Sequence, residues 1–374
     1  MKVAVVGGGI AGASVGYELA ASCEVTLFEA EKTCGYHSTG RSAALFTECY
    51  GDPVVRRLAI ASRGFVEHPP PGFAAVPLVH PRPVLFVATA AQEEARLECL
   101  VEYRAMVPAV REVSPAEAVG LCPVLDPAVV TGGVLEPDAR DIDVHALHSG
   151  FLGGLRSRGG RIVTSAPVAG LRRRGTGWEV IAADQSGDFD VVVNAAGAWC
   201  DRIGGIAGAA PIGLVPKRRT AFTFASPTGP GPHSWPMIID VAEQFYFRPE
   251  GVHVLGSPCD ETPMEPQDVR HDEMDVARGI ERIESVTTMT IRSVQRAWAG
   301  LRSFVSDHRP VNGWEPDLPG FYWLAGQGGF GIKTSPAMAR FAAAMIRDGS
   351  PPEDLVAAGI TVESVGVERL RADS

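Results

Sequence analysis

No stretch of this 374-residue chain stays apolar long enough to cross a bilayer, which takes about 20 residues, so a membrane span is not expected. Cysteine is scarce and unpatterned. The seven cysteines lie at positions 23, 34, 49, 99, 122, 200 and 259 with no C-x-x-C spacing. That argues against a disulfide framework or a zinc site and for a reducing cytoplasm. A sustained basic block is also missing. Net charge is −10, and Arg172–Arg174 is a short run before a Gly-Thr-Gly turn, so nucleic acid is not an expected partner. Histidines are dispersed. His145 and His148 stand three apart in an expected helix without a third ligand at metal spacing, and no metal is expected. The first apolar run is broken by glycines and Glu18 and has no convincing cleavage site, unlike a signal peptide. Neither an internal repeat nor a low-complexity segment is present.

What is present is concentrated in the first thirty residues. Lys2–Val6 reads as a nearly all-apolar strand, of the kind buried on both faces of a parallel sheet. Gly7, Gly9 and Gly12 follow at G-x-G-x-x-G spacing, residues 10–21 have helical spacing, and Glu24–Phe28 reads as the next strand. Gly7 suits a tight turn, Gly9 the close approach of a pyrophosphate, and Gly12 tight packing of helix on strand. The helix start offers free N–H groups and a positive dipole end to phosphates. Glu29, about twenty residues on, is placed to accept hydrogen bonds from ribose hydroxyls. Together these features predict an adenine dinucleotide site.

Further along, residues 34–44 are rich in small and polar types, which predicts a loop feeding a helix beside the cofactor. Arg41 and Ser42 there offer donors to phosphates or a ring. Helices are expected over 52–65, 92–106, 144–158, 268–285 and 335–346, and a capping box at Ser114 to Glu117. Prolines 69, 70, 71, 77, 81 and 83 mark a crossing between domains. Residues 191–200 form a second strand-to-glycine turn, residues 216–256 are strand-rich, and Phe321–Ala325 is a buried strand before Gly326–Gly331. Dinucleotide-type signatures therefore stand at the start, middle and end, separated by two unlike insertions.

Five motifs go further: Gly35–Ala44 (GYHSTGRSAA), Asn194–Asp201 (NAAGAWCD), Pro216–Arg219 (PKRR), Trp298–Phe304 (WAGLRSF) and Gln327–Gly331 (QGGFG). Through them the chain resembles the D-amino acid oxidase superfamily of FAD-dependent amine oxidoreductases, which includes glycine and sarcosine oxidases. Among its members it is similar to the bacterial FAD-dependent D-arginine dehydrogenases. The resemblance covers nearly the whole chain. It implies an α/β plus α+β fold, a doubly wound FAD-binding domain interleaved with a substrate domain on a large mixed or antiparallel sheet. On this chain the former takes residues 1–70, 138–210 and 296–374, the latter 71–137 and 211–295.

The resemblance also implies a set of site residues. For the cofactor these are Gly7, Gly9, Ile10, Ala11, Gly12, Glu29 and Ala30, then His37, Ser38, Arg41, Ser42 and Ala43. Val168, Ala196, Gly197 and Trp199 follow, and the last group is Gly328, Gly329, Phe330, Gly331, Ile332 and Lys333. With no cysteine in Gln327–Gly331, the FAD is expected to be noncovalent. A substrate carboxylate would be held by Arg219, Arg302 and Tyr246, with Gly329 accepting from the amine and Tyr50 on a nearby loop. Arginine suits that task because its planar fork pairs bidentately with a carboxylate. Where the relatives carry a glutamate that engages a substrate guanidinium this chain has Val84, and where they carry a histidine it has Leu45; Thr47 is expected beside them. Both exchanges replace polar surface with apolar surface, and an unpaired guanidinium there would cost several kcal/mol. The expected reaction is oxidation of the Cα–N bond of an apolar D-amino acid or an N-substituted glycine, with D-arginine disfavoured. Two alternatives stay open, a catalytically silent flavoprotein partner subunit and a nicotinamide-dependent dehydrogenase. Oligomeric state and the choice between oxidase and dehydrogenase are not readable.

Overall fold

The computed structural model describes residues 1–227 and 234–371. Its first unit is a six-stranded sheet in the order Val311–Trp314, Phe321–Ala325, Val191–Asn194, Lys2–Val6, Glu24–Phe28, Arg161–Val163. All pairs are parallel except the first. Lys2–Val6 shows why the strand text is apolar throughout. Val3 and Val5 enter the core shared with helices Ile10–Leu19 and Gly331–Asp348, while Ala4 and Val6 enter the core on the opposite face. That second face is covered by a three-stranded antiparallel sheet (Val168–Arg174, Gly177–Ala182, Gln185–Phe189) and the helix Cys200–Ala207. Alternation at period two therefore puts apolar side chains on both sides.

The second unit is a nine-stranded sheet. Its path runs Thr262–Pro263, Val215–Ala225, His253–Ser257, Tyr246–Glu250, Met237–Asp240, Val84–Thr89, Val130–Glu136, Arg111–Val113, with Val294–Phe304 paired along Val215–Ala225. Only Met237–Asp240 and Val84–Thr89 run parallel; the other pairs are antiparallel. A small sheet of Leu45–Phe46, Val79–Pro81 and Arg140–Ile142 lies at the crossing, where the proline-crowded segment ends.

Three sequence expectations are corrected. The domain boundary at 296 falls inside Val294–Phe304, which pairs with the large sheet over ten residues' register, so the whole strand belongs to the substrate unit. The expected 268–285 helix is Glu273–Glu284, started by Asp272, whose side chain accepts from Met274 N–H at 2.9 Å; residues 268–271 lie outside it. The loop at 34–44 leads into the short strand Leu45–Phe46, and the next helix begins only at Pro53, capped by Asp52.

Candidate active site

The cofactor cleft, about 540 Å³, opens along the C-terminal ends of the parallel strands, where ligands of open α/β sheets bind. Backbone shapes its floor. Gly7 has φ +106°, and a Cβ on it would lie 2.5 Å from the Ala195 carbonyl oxygen; one on Gly12 would lie 1.8 Å from the Gly7 oxygen. Gly9 differs, because the nearest atom of the chain to such a Cβ is 3.3 Å away. The chain leaves room at Gly9 that a pyrophosphate would use, and as N-cap it supplies no side chain to cover the helix start. Glu29 lines the cleft, its carboxylate held by Gly8 N–H at 2.7 Å and Glu31 N–H at 2.8 Å. His148, which metal spacing did not explain, sets its Nε2 2.9 Å from the Gly8 oxygen and braces the same loop; burial lowers its pKa.

The cleft brings together most of the expected cofactor residues. Gly7, Gly9, Ile10, Ala11, Glu29, Ala30, His37, Ser38, Arg41, Ser42 and Ala43 line it. So do Val168, Ala196, Gly197, Trp199, Gly328, Gly329, Gly331 and Ile332. Gly12 lies beneath, at the helix–strand contact. Arg41 is present but committed: Nη1 donates to Val269 O at 3.0 Å and Ala299 O at 3.3 Å, and Nη2 pairs with Asp268. Its guanidinium ties the 34–44 loop to the Asp268–Val269 segment and to the strand Val294–Phe304.

Two residues depart from the cleft. The Phe330 ring packs with Val55, Phe304 and Tyr50, and Lys333 Nζ donates to the carbonyls of Thr47 (2.8 Å) and Tyr50 (2.7 Å). Helix geometry explains both, since successive residues at the start of Gly331–Asp348 point in different directions around its axis. Conversely, Gln327 Nε2 is buried with no hydrogen-bond partner, and Gln327 lines the cleft. A buried donor left unpaired is costly, and a dinucleotide bound in the cleft would supply an acceptor.

A second cavity of about 70 Å³ adjoins the cleft; Arg219, Tyr246, Arg302 and Gly329 line both. Strand register builds it. Lys217 pairs with Arg302 and Arg219 with Gly300, so the two arginines are diagonal neighbours on one face of the sheet. Arg219 is held by the Asp260 carbonyl (2.9 Å from Nε) and Glu261 (3.0 Å from Nη2), and Arg302 Nη1 lies 3.5 Å from the Tyr50 hydroxyl. Burial pushes the Tyr50 phenol up to about 12, against the opposing pull of Arg302, so it stays a donor at neutral pH. Leu45, Met237, Ile239 and Ile332 form the apolar side.

Val84 is not part of this wall. It is fully buried in the cluster behind, packed with Leu45, Met237, Ile239 and Tyr246, and the neighbouring strand Met237–Asp240 supplies the lining instead. Thr47 does line the cavity, its hydroxyl bonded to the buried Glu136 carboxylate. Sequence reasoning missed Met237, Ile239, Cys259 and Glu243, which all line the cavity. None stands in a motif; their places follow from the register of the large sheet.

The family model described as DAO, FAD dependent oxidoreductase, matches residues 2–345. The chain belongs to this family. Its cofactor is FAD, which the cleft residues fit, and the nicotinamide alternative falls away. Over 195 residues the chain is 31% identical to FAD-dependent oxidoreductase domain-containing protein 1 of Bos taurus, covering 45% of this chain and 39% of that protein. Over 263 residues it is 25% identical to mitochondrial dimethylglycine dehydrogenase of Homo sapiens, covering 65% and 30%. The chain thus spans well under half the length of these curated relatives. Among solved structures, L-proline dehydrogenase from P. horikoshii superposes with a TM-score of 0.87 at 21% identity, covering all of this chain and 98% of that one. That likeness is one of fold. Among the described residues no helix is long and apolar enough to cross a membrane.

Proposed function

We propose that this FAD-dependent oxidoreductase oxidises the Cα–N bond of a small amino acid bearing an apolar group. The observation that carries the reading is the convergence of Arg219, Arg302 and Tyr50 in a cavity that has an apolar side of Leu45, Met237, Ile239 and Ile332 and opens onto the cofactor cleft. In this reading the arginines and Tyr246 hold the substrate carboxylate, and Tyr50 donates from its loop. The Gly329 carbonyl accepts from the amine, which aims the Cα–H at the cleft. When bound, noncovalent FAD supplies the acceptor for the hydride leaving Cα. Fixing the reacting bond in this way contributes up to about 7–11 kcal/mol to catalysis. The oxidised substrate is an imine, which water hydrolyses.

Of the two substrate shapes, the N-substituted glycine gains support from the small cavity and from the relative named for dimethylglycine. Release of glyoxylate and an amine would follow. An apolar D-amino acid fits the same seat. D-arginine is disfavoured by the apolar Leu45, Met237 and Ile239 in the cavity wall, and Val84, buried behind that wall, takes no part in this. The test is anaerobic bleaching of the flavin by a panel of apolar D-amino acids, D-arginine, glycine, sarcosine and longer N-alkylglycines. Selective bleaching by N-alkylglycines supports the first shape, and by D-leucine or D-phenylalanine the second. Comparable turnover of D-arginine and D-leucine would remove the argument from the apolar wall. Failure of every amine would favour a silent partner subunit.

A further inference from the structure

Lys333 lines the substrate cavity without a part in the reaction just described. It stands in the first turn of the helix Gly331–Asp348 and is only 3% exposed. Burying an ammonium is costly unless its hydrogens are taken up. Here Nζ donates to two backbone carbonyls of one short segment, Thr47 O at 2.8 Å and Tyr50 O at 2.7 Å.

Residues 47–52 lie between the strand Leu45–Phe46 and the helix Pro53–Glu67 and belong to neither. Thr47, Glu48 and Cys49 are buried, so their backbone groups cannot turn to water. No ladder serves them. Among the described residues, the backbone of residues 47–50 hydrogen-bonds to side chains alone. Glu48 N–H donates to Glu136 at 2.8 Å, Cys49 N–H donates to the Thr47 hydroxyl at 3.2 Å, and the two carbonyls accept from Lys333. The Thr47 hydroxyl donates in turn to Glu136, which is fully buried at the end of the strand Val130–Glu136. A lysine from a helix and a glutamate from a strand therefore set where the turn lies. Tyr50 closes it. The Tyr50 ring packs on Phe330 with centroids 5.2 Å apart, and its hydroxyl lies 3.5 Å from Arg302 Nη1.

We propose that Lys333 is a positioning residue for the substrate carboxylate: by bracketing the 47–50 turn at its first and last carbonyls it holds the Tyr50 hydroxyl beside Arg302, and it acts through Tyr50 instead of touching the ligand. The inference rests on the carboxylate seat assigned under Proposed function. Bonds from an ionised donor are stronger than neutral ones. Their loss would leave two buried carbonyls unsatisfied, which the turn relieves by moving. A shift of about 1 Å at a positioned group can cost roughly a hundredfold. A lysine that touched the ligand itself would behave differently, because its loss and the loss of the Tyr50 hydroxyl would add.

The test is a double-mutant cycle on acetate, titrated into the FAD-loaded protein and read by the shift of flavin absorption. Lys333→Met, Tyr50→Phe and the double variant are compared with wild type. Methionine keeps the length of the side chain and removes its donors. Each single variant should weaken acetate about tenfold, and the double variant should bind it within about twofold of the poorer single one. Losses that multiply to roughly a hundredfold would overturn the proposal, since a direct contact gives that result. So would a Lys333→Met protein within twofold of wild type while Tyr50→Phe is weakened. Hydrogen–deuterium exchange of the FAD-loaded protein supplies a second readout. The amides of Glu48 and Cys49 should exchange at least tenfold faster in Lys333→Met, and unchanged exchange would overturn the proposal as well. If Lys333→Met does not fold, Lys333→Gln, which keeps a donor on a chain one bond shorter, takes its place in the same cycle. If neither Tyr50→Phe nor Arg302→Met weakens acetate, the seat itself is wrong and the proposal falls with it.

Discussion

The cofactor cleft and the substrate cavity share a wall but are made of different things. The cleft is shaped by backbone, with glycines at 7, 9 and 12 and a helix start, all within one short stretch. The cavity is shaped by side chains from the Leu45–Tyr50 segment, four strands of the large sheet, the Glu243 turn and the Gly331–Asp348 helix. The difference teaches that damage to the cleft should remove the cofactor, whereas damage to the cavity should leave a coloured protein that no longer binds substrate.

The largest effect should come from Gly12→Val. Its Cβ would meet the Gly7 carbonyl oxygen at 1.8 Å, a backbone atom that cannot turn aside. The purified protein should carry almost no FAD, read from the ratio of visible to ultraviolet absorption. Full retention would break the comparison.

Next is Arg302→Met. Truncating one partner of a desolvated charge contact costs about 2–5 kcal/mol, roughly 30- to 4,000-fold. That loss should appear in kcat/KM with the FAD content unchanged. A parallel fall in FAD would show that the arginine serves the cleft as well.

A smaller effect is expected from Gly329→Ala. The added Cβ would lie 2.7 Å from Arg302 Nη1, the far end of a flexible side chain, so the guanidinium shifts and the fold does not. KM should rise by about tenfold, a change of roughly 1.4 kcal/mol, with stability close to wild type. A large drop in melting temperature instead would mean that the glycine is needed by the 326–331 turn itself.

Much of the fold was legible because its signals are local. Lys2–Val6 is apolar on both faces because both faces are covered, and the capping box read at Ser114 and Glu117 starts the Pro115–Leu121 helix. The resemblance brought Arg219, Arg302, Tyr246, Tyr50 and Gly329 together as site residues, and all five line the cavity. It misplaced Val84, since a strand position matched by motif does not say which neighbouring strand forms the wall. Lys333 was read with the flavin motif that precedes it. In the structure its amine reaches the carbonyls of Thr47 and Tyr50, while the buried Glu136 accepts from the Thr47 hydroxyl and from Glu48 N–H, so both side chains tie down the segment that carries Tyr50.

By itself the sequence determined that a strand, a glycine turn and a helix would present amides and a dipole end to a dinucleotide, because those groups come from consecutive residues. Only the tertiary structure decided which side chains meet the substrate. Arg219 and Arg302 become neighbours through the register of two strands some eighty residues apart, and Glu243 joins the same cavity from a turn braced by Asp240. Contacts of that kind depend on long-range pairing, and no local spacing encodes them.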